Sequence, residues 1–198
     1  MSTIYLVRHG QSGANKARIW GGDFPLTEEG REQAKSVPGK IPVRPDKVAA
    51  SMLQRVYTTA ELAYPGLEVE RNAVFNEIRF GNLELQPMTT ETLIFYHTDP
   101  EGFQKSIDGD DRIKRANEAI DVIKKYAARY ENTAIFLSNT LLVSILTVLE
   151  GKTLLETREY YLNNCNVIVL EYDGELTIKD SSSLINITSL PQHGNKQA

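Results

Sequence analysis

Two kinds of apolar spacing alternate along this chain. Short runs rich in β-branched and aromatic residues are typical of buried strands, whereas apolar residues at every third or fourth position are typical of helices. The short runs predict strands at 3–7, 47–51, 66–71 and 133–138, and two paired strands within 166–180 around Asp173-Gly174. The wider spacing predicts helices at 26–37, 54–64, 89–97, 110–130 and 140–151.

Strands that alternate with helices indicate an α/β fold, here a three-layer sandwich with a mainly parallel central sheet and helices on both faces. We expect residues 1–185 to form a single domain and residues 186–198 to form a flexible tail. In such sheets, ligands bind beyond the carboxyl ends of the strands. Four places meet that condition: Arg8 to Gly10, Ser51 to Arg55, Glu77, and Ser138 to Thr140.

The composition narrows the class of protein without identifying a function. The 198 residues carry a formal net charge of −4, which gives no sign of a nucleic-acid partner. Cys165 is the only cysteine, so no internal disulfide can form, as is usual in a reducing cytosol. The first residues lack the pattern of a signal peptide, and no apolar run is long enough to cross a bilayer. We therefore expect a cytoplasmic protein with no membrane partner.

The stretch "VRHGQSGAN" combines groups that suit attack on a phosphate ester. A neutral imidazole such as that of His9 is a competent nucleophile, and Arg8 can hold a phosphate through two hydrogen bonds. Gly10 would allow close approach of a ligand to the backbone, and Ser12 and Asn15 would add neutral polar contacts. From these residues alone, a surface turn with an incidental arginine-histidine pair is an equally good interpretation.

Four segments, taken together, carry a resemblance to a known family. "LVRHGQSGAN" closely resembles the signature of the histidine phosphatase superfamily, also called the phosphoglycerate mutase-like family. "PLTEEGREQA", "SMLQRVYTTAE" and "NEIRFGNLE" are similar, in the same order, to later segments of that family. The resemblance covers most of the chain and implies a phosphoglycerate mutase-like fold.

The resemblance also implies roles for particular residues. His9 would be the nucleophile that accepts the phosphoryl group, and Arg8 and Arg55 would clamp the phosphate. Glu77 would be the general acid that protonates the leaving oxygen. Such an acid must keep its proton near neutral pH, which apolar surroundings favour; the apolar neighbours in sequence are Phe75, Ile78 and Phe80.

The polar residues Ser138 to Thr140 interrupt two apolar runs. In the family this position normally carries a second histidine followed by glycine, and here it carries Asn139 followed by Thr140. The resemblance therefore places both residues in the phosphate pocket. An asparagine can donate a hydrogen bond but cannot become charged, which would weaken turnover by about one to two decades. Asp110 and Asp111, if they lie near the mouth, would disfavour polyanionic substrates.

The sequence leaves several functions open. A phosphatase that acts on a small phosphate monoester through phospho-His9 is favoured. The alternatives are a catalytically silent member that binds a phosphorylated ligand or a protein partner, an enzyme with altered chemistry in the same pocket, and a phosphoglycerate mutase. An introduced change at Asn139 is a further alternative, against which Thr140 argues, because the usual glycine is missing too.

The sequence gives weaker indications on metal binding, on a substitute histidine, on the substrate and on the oligomeric state. Three scattered histidines give no metal-binding spacing, and the chemistry needs no cofactor. His97 could substitute for the missing histidine, with His193 a weaker candidate, and the tyrosines are interpreted as packing or rim residues. Residues 82–112 would select the substrate, and neither the substrate nor the oligomeric state follows from the sequence.

Overall fold

The computed structural model describes residues 1–186 and centres on a six-stranded sheet of order β3-β2-β4-β1-β6-β7. β1 to β4 are parallel, and β6 and β7 add an antiparallel edge. A separate antiparallel pair joins β5 to β8. The strands are β1 Ser2–Arg8, β2 Lys47–Ala50, β3 Val69–Arg71, β4 Asn132–Leu137, β5 Tyr160–Leu162, β6 Val167–Tyr172, β7 Leu176–Asp180 and β8 Leu184–Asn186.

Helices cover both faces of the sheet, as expected for an α/β sandwich. The α-helices are α1 Gly13–Ala17, α2 Glu28–Ser36, α3 Gln54–Ala63, α4 Thr90–Thr98, α5 Pro100–Ser106, α6 Arg112–Ala127 and α7 Asn139–Leu149. Short 3-10 helices occupy Val37–Lys40, Ala73–Phe75 and Gly81–Leu83.

Successive side chains of β1 point to opposite faces of the sheet and pack into two separate hydrophobic cores. Ile4 and Leu6 point to one face and pack in the core formed with α6 and α7. Tyr5 and Val7 point to the other face and pack in the core formed with α2 and α3. Because both faces are covered, β1 and β4 read as continuous apolar runs rather than alternating ones.

The predicted elements are confirmed where a local pattern marks them. Thr27 caps α2 by accepting a hydrogen bond from the Gly30 N–H, and the hairpin around Gly174 forms the antiparallel edge of the sheet. The sequence analysis missed α1, α5, β5 and β8. Asp99 follows α4 and caps α5 by accepting from the Gly102 N–H.

The predicted tail, with His193, lies outside the described residues except for Asn186. Within residues 1–186, no helix is both long enough and apolar enough to cross a membrane.

The turn after β1 packs directly on α2 through two glycines. A Cβ atom on Gly10 would lie 2.3 Å from the Gly30 carbonyl oxygen, and one on Gly30 would lie 2.0 Å from the Gln11 carbonyl oxygen. Both contacts involve backbone atoms, so no side chain can move to relieve them. Gly10 therefore allows the close packing of α2 on this turn, and the ligand approach that the sequence suggested stays a prediction.

We expect Gly30→Ala to lower the free energy of unfolding by about 1–3 kcal/mol, the usual cost of overpacking. Urea denaturation followed by circular dichroism measures this change. Gly39→Ala is the matched control, because nothing lies within 4 Å of a Cβ at Gly39. Equal stability of the two variants would contradict the close approach of α2 to this turn.

Candidate active site

His9 follows β1 directly and is buried, with 3% of its surface exposed. Its Nδ1 lies 2.7 Å from the Gly10 carbonyl oxygen, which can only accept, so the proton of the neutral ring is on Nδ1. Burial, and then the charges of Arg55 and Arg8, hold the pKa of His9 well below its usual value. The imidazole is therefore neutral at physiological pH, with its lone pair on Nε2.

Arg55, in the first turn of α3, joins three parts of the site. Its Nε donates to His9 Nε2 at 3.3 Å, its Nη1 donates to the Gly22 carbonyl at 2.5 Å, and its Nη2 donates to Ser138 Oγ at 3.4 Å. Asp23 lies 3.8 Å from Nη1. Burial lowers the pKa of Arg55 from its usual value, and the nearby carboxylates of Glu77 and Asp23 oppose this effect. The guanidinium group is thus fixed next to the histidine.

Arg8 is buried on the other side of the site and carries an unsatisfied donor. Its Nη1 donates to the Leu162 carbonyl, and its guanidinium carbon lies 4.6 Å from the centroid of the Tyr161 ring. Its Nε is buried without a hydrogen-bond partner among residues 1–186. A buried N–H of this kind is costly unless something accepts from it, and a phosphate oxygen is a suitable acceptor.

Glu77 caps the N-terminus of α7. Its Oε1 accepts from the N–H groups of Ile78 and Leu141, both at 2.9 Å, and its Oε2 accepts from the Thr140 N–H at 3.2 Å. The sequence analysis expected apolar surroundings for this carboxyl group. Instead three backbone donors orient it, two on Oε1 and one on Oε2, and Glu77 lines the cavity that His9 also lines.

Asn139 begins α7 and is held by β5. Its Oδ1 accepts from the Leu162 N–H at 3.0 Å, and the carbonyl of the same leucine accepts from Arg8. Because Oδ1 is occupied, the Nδ2 end of the amide is the end available to a ligand. Leu162 thereby orients two predicted site residues at once, a role that no local sequence pattern indicated.

The neutral residues after His9 divide into two groups. Ser12 is fully buried and caps α1, where its Oγ accepts from the Asn15 N–H at 3.3 Å. Asn15 reaches the cavity, and its Oδ1 accepts from the Ser12 N–H at 3.2 Å. Asn164 donates to the His9 carbonyl at 2.8 Å. Gly10 and Ser12 shape the turn, whereas Asn15 and Thr140 line the cavity.

One cavity of about 280 Å³ brings the predicted catalytic residues together. Its polar end is lined by Arg8, His9, Arg55, Glu77, Asn139 and Thr140. Its walls include Trp20, which sequence reasoning did not assign to the site, and His97, which it raised as a substitute for the missing histidine. His97 Nδ1 lies 2.8 Å from the Arg158 carbonyl oxygen, and Tyr96, Tyr160 and Tyr161 also line the cavity.

The acidic turn before α6 does not line the cavity, so the condition under which it would disfavour polyanionic substrates is not met. Asp110 pairs with Arg79 at 2.8 Å and with Arg115 at 3.5 Å. Asp111 caps α6 by accepting from the Lys114 N–H at 2.9 Å. Neither carboxylate lines the cavity.

Two relatives place this arrangement in context. The adenosylcobalamin/alpha-ribazole phosphatase of Salmonella typhimurium is 38% identical over 88 residues, which are 42% of this chain and 44% of that protein. The match therefore spans less than half the length of this relative. The protein named "Probable phosphoglycerate mutase GpmB" in Proteus mirabilis is 28% identical over 190 residues, which are 88% of this chain and 86% of that protein.

Solved structures show the same fold. YhfR of Bacillus stearothermophilus superposes with a TM-score of 0.78 at 22% identity, covering 94% of this chain and 100% of that chain. Phosphoserine phosphatase of Entamoeba histolytica superposes with a TM-score of 0.78 at 20% identity, covering 91% of this chain and 96% of that chain. The model of the histidine phosphatase superfamily (branch 1) matches residues 4–181. The chain therefore belongs to the histidine phosphatase superfamily.

Proposed function

We propose that this protein is a phosphatase that hydrolyses a small phosphate monoester through a phosphohistidine at His9. One observation carries the proposal: the Gly10 carbonyl holds the Nδ1 proton, so the lone pair of a neutral imidazole is on Nε2, beside Arg55. A buried, neutral and oriented histidine between two guanidinium groups is suited to attack an anionic phosphoryl group.

The reaction would proceed in two displacements. His9 Nε2 forms a bond to phosphorus while the ester P–O bond breaks, and Glu77 transfers its proton to the departing alcohol oxygen. Water then attacks phosphorus, Glu77 takes up its proton, and the N–P bond breaks to release inorganic phosphate. The Nδ1 proton stays with the Gly10 carbonyl throughout, and the two steps together consume one water molecule.

The two arginines would stabilise the charge on the phosphoryl oxygens. Arg8 has a buried Nε donor without a partner within residues 1–186, which a phosphate oxygen would satisfy. Arg55 donates to His9 Nε2, so phosphoryl transfer requires that this N–H move from the ring to a phosphoryl oxygen. Donors that are already oriented need little rearrangement when charge develops.

Asn139 would occupy the place of the family's second histidine. With Oδ1 bound to the Leu162 N–H, its Nδ2 group donates to the transferring phosphoryl group without adding charge. A charged hydrogen bond contributes about 1.5–3 kcal/mol, and a neutral one about 0.5–1.5 kcal/mol. We therefore expect turnover about one to two decades below that of a site with histidine there.

A catalytically silent member that binds a phosphorylated ligand is the second candidate. Two observations favour it: Arg55 Nε donates to the lone pair that would attack, and Asn139 cannot carry charge. Thr140 and Asn15, which line the cavity, would serve either function as neutral ligand contacts.

Asn139 supplies the test that separates these functions. Asn139→Asp keeps the acceptor for the Leu162 N–H but replaces Nδ2 with a charged oxygen, so kcat/KM should fall by about 100-fold or more. Asn139→His should raise it. Initial rates on a panel of phosphate monoesters measure both changes, with His9→Ala as the inactive reference.

If the wild type and Asn139→His are both inert, the phosphatase proposal fails and the silent alternative is favoured. If Asn139→Asp is as active as the wild type, the amide does not donate to the phosphoryl group.

Glu77 can be tested through the leaving group. Glu77→Gln removes the acid and should lower kcat for alkyl phosphates by about 10² to 10⁴-fold. With p-nitrophenyl phosphate, whose leaving phenolate needs no proton, the loss should be much smaller. An equal loss on both substrates would mean that Glu77 acts by capping α7, and thermal unfolding of the variant would report that effect.

The neutral state of His9 predicts a particular pH dependence of stability. Unfolding releases the ring into water, where it binds a proton below about pH 6.5, so the unfolded state takes up more protons there. The free energy of unfolding should fall with decreasing pH by up to about 1.4 kcal/mol per pH unit from this residue. In the His9→Asn variant, this pH-dependent part of the free energy of unfolding should disappear. Urea titrations at pH 7.5 and 5.5 would measure the change. An unchanged slope would show that His9 is charged in the folded protein.

A further inference from the structure

The cavity has a second end whose chemistry differs from that of the phosphate site. We define the vestibule as Ile19, Trp20, Phe80, Met88, Leu93 and Tyr96, all of which line the cavity. The first two residues follow α1, and the others belong to the segment between β3 and α6. Three of these residues, Met88, Leu93 and Tyr96, fall within residues 82–112, the region that the sequence analysis expected to select the substrate.

The aromatic side of the vestibule is already packed. The Trp20 ring centroid lies 4.9 Å from that of Phe80 and 5.6 Å from that of Tyr96, and Trp20 and Phe80 are 3% and 5% exposed. Trp20 Nε1 donates to Thr92 Oγ1 at 3.4 Å, so the polar edge of the indole has a partner away from the ligand. What this side presents to the cavity is aromatic surface.

Backbone hydrogen bonds hold this wall in place. Trp20 N–H donates to the Gln86 carbonyl at 2.9 Å, and Leu85 N–H donates to the Trp20 carbonyl at 2.8 Å. Met88 N–H donates to the Arg18 carbonyl at 2.7 Å. The segment after α1 and the segment before α4 are therefore joined as a short ladder. A preformed apolar wall loses little conformational entropy when a ligand binds.

The residues that form the vestibule carry no cation for a second anionic group. The Arg112 guanidinium lies 5.4 Å from the centroid of the Tyr96 ring but does not line the cavity, and His97, which does, has its Nδ1 2.8 Å from the Arg158 carbonyl oxygen. Among the described residues that line the cavity, the guanidinium groups are those of Arg8 and Arg55, both at the phosphate end, and no lysine is present. A second carboxylate or phosphate on the substrate would lie against aromatic and aliphatic surface without a charged partner. Burying an unpaired charge in this way is strongly unfavourable.

We propose that the substrate is a phosphate monoester of an aromatic or bulky apolar alcohol that carries no second anionic group. The inference rests on the proposed phosphatase function, because it assigns the vestibule to the leaving alcohol. The volume of about 280 Å³ limits that alcohol to a small ring system next to the phosphoryl group. Leu93 and Tyr96 determine specificity, since both belong to α4 and both line the cavity.

Binding of non-hydrolysable phosphonates tests the inference without turnover. Titration calorimetry on the full chain should show benzylphosphonate binding at least 10-fold more tightly than methylphosphonate. 3-Phosphonopropionate, which adds a carboxylate instead of a ring, should bind no more tightly than methylphosphonate. These probes share the phosphate site, so their differences report the vestibule alone.

Leu93→Lys places a cation in the vestibule and should reverse the preference. Benzylphosphonate should lose its 10-fold advantage, and 3-phosphonopropionate should gain about 10-fold in affinity. Ile94→Lys is the matched control, because Ile94 is the next residue on α4, is 57% exposed and does not line the cavity. It should leave all three affinities unchanged, and circular dichroism should show both variants folded.

The outcomes separate this inference from the proposed function. If benzylphosphonate binds no more tightly than methylphosphonate, the vestibule assignment is overturned even if the enzyme is active. If it binds more tightly but no monoester is hydrolysed in a His9-dependent way, the phosphatase proposal fails and the apolar binding site stands. If both lysine variants act alike, Leu93 does not determine specificity.

Discussion

The parallel pairing of β1 with β4 is the constraint on which the candidate site depends. It sets Arg8 opposite Leu137, and the His9 N–H donates to the Leu137 carbonyl at 3.1 Å. Both strands end at this point and run in the same direction, so the turns that follow them leave the sheet side by side. The imidazole and the N-terminus of α7 therefore meet although they come from opposite halves of the chain.

Around that junction the protein maintains an excess of buried positive charge. Burying a guanidinium group is costly, and the cost is reduced here by local acceptors and, for Arg55, by the Asp23 carboxylate 3.8 Å from Nη1. Arg55 has two oxygen acceptors and the ring nitrogen of His9, and Arg8 has a backbone carbonyl and the face of Tyr161. Burial, and then these charges, lower the pKa of the neighbouring His9 imidazole and keep it neutral. An electrostatic arrangement that is unfavourable for folding thus prepares the site for an anion, and the cores on both sheet faces offset its cost.

The two ends of the cavity depend on different parts of the fold. The phosphate end is built at the ends of parallel strands, where backbone pairing restricts the position of each side chain. The vestibule is built by Trp20 and by the segment between β3 and α6, which forms a small core of its own with Phe80, Phe103 and Ile107. Because that segment lies outside the sheet, its residues can differ without disturbing the strands that hold His9.

The sequence by itself determined the alternation of elements and the residues that follow the parallel strands. Apolar runs marked β1 and β4, and the motif around His9 and the segment containing Arg55 indicated the phosphate end, because these signals are local. Only the tertiary structure decided which groups orient them: the three N–H donors on Glu77, the Leu162 backbone that binds both Asn139 and Arg8, and the aromatic wall around Trp20. These contacts join residues far apart in the chain through packing and backbone geometry. Local periodicity carries no information about such contacts, because it reflects only residues that are close in sequence.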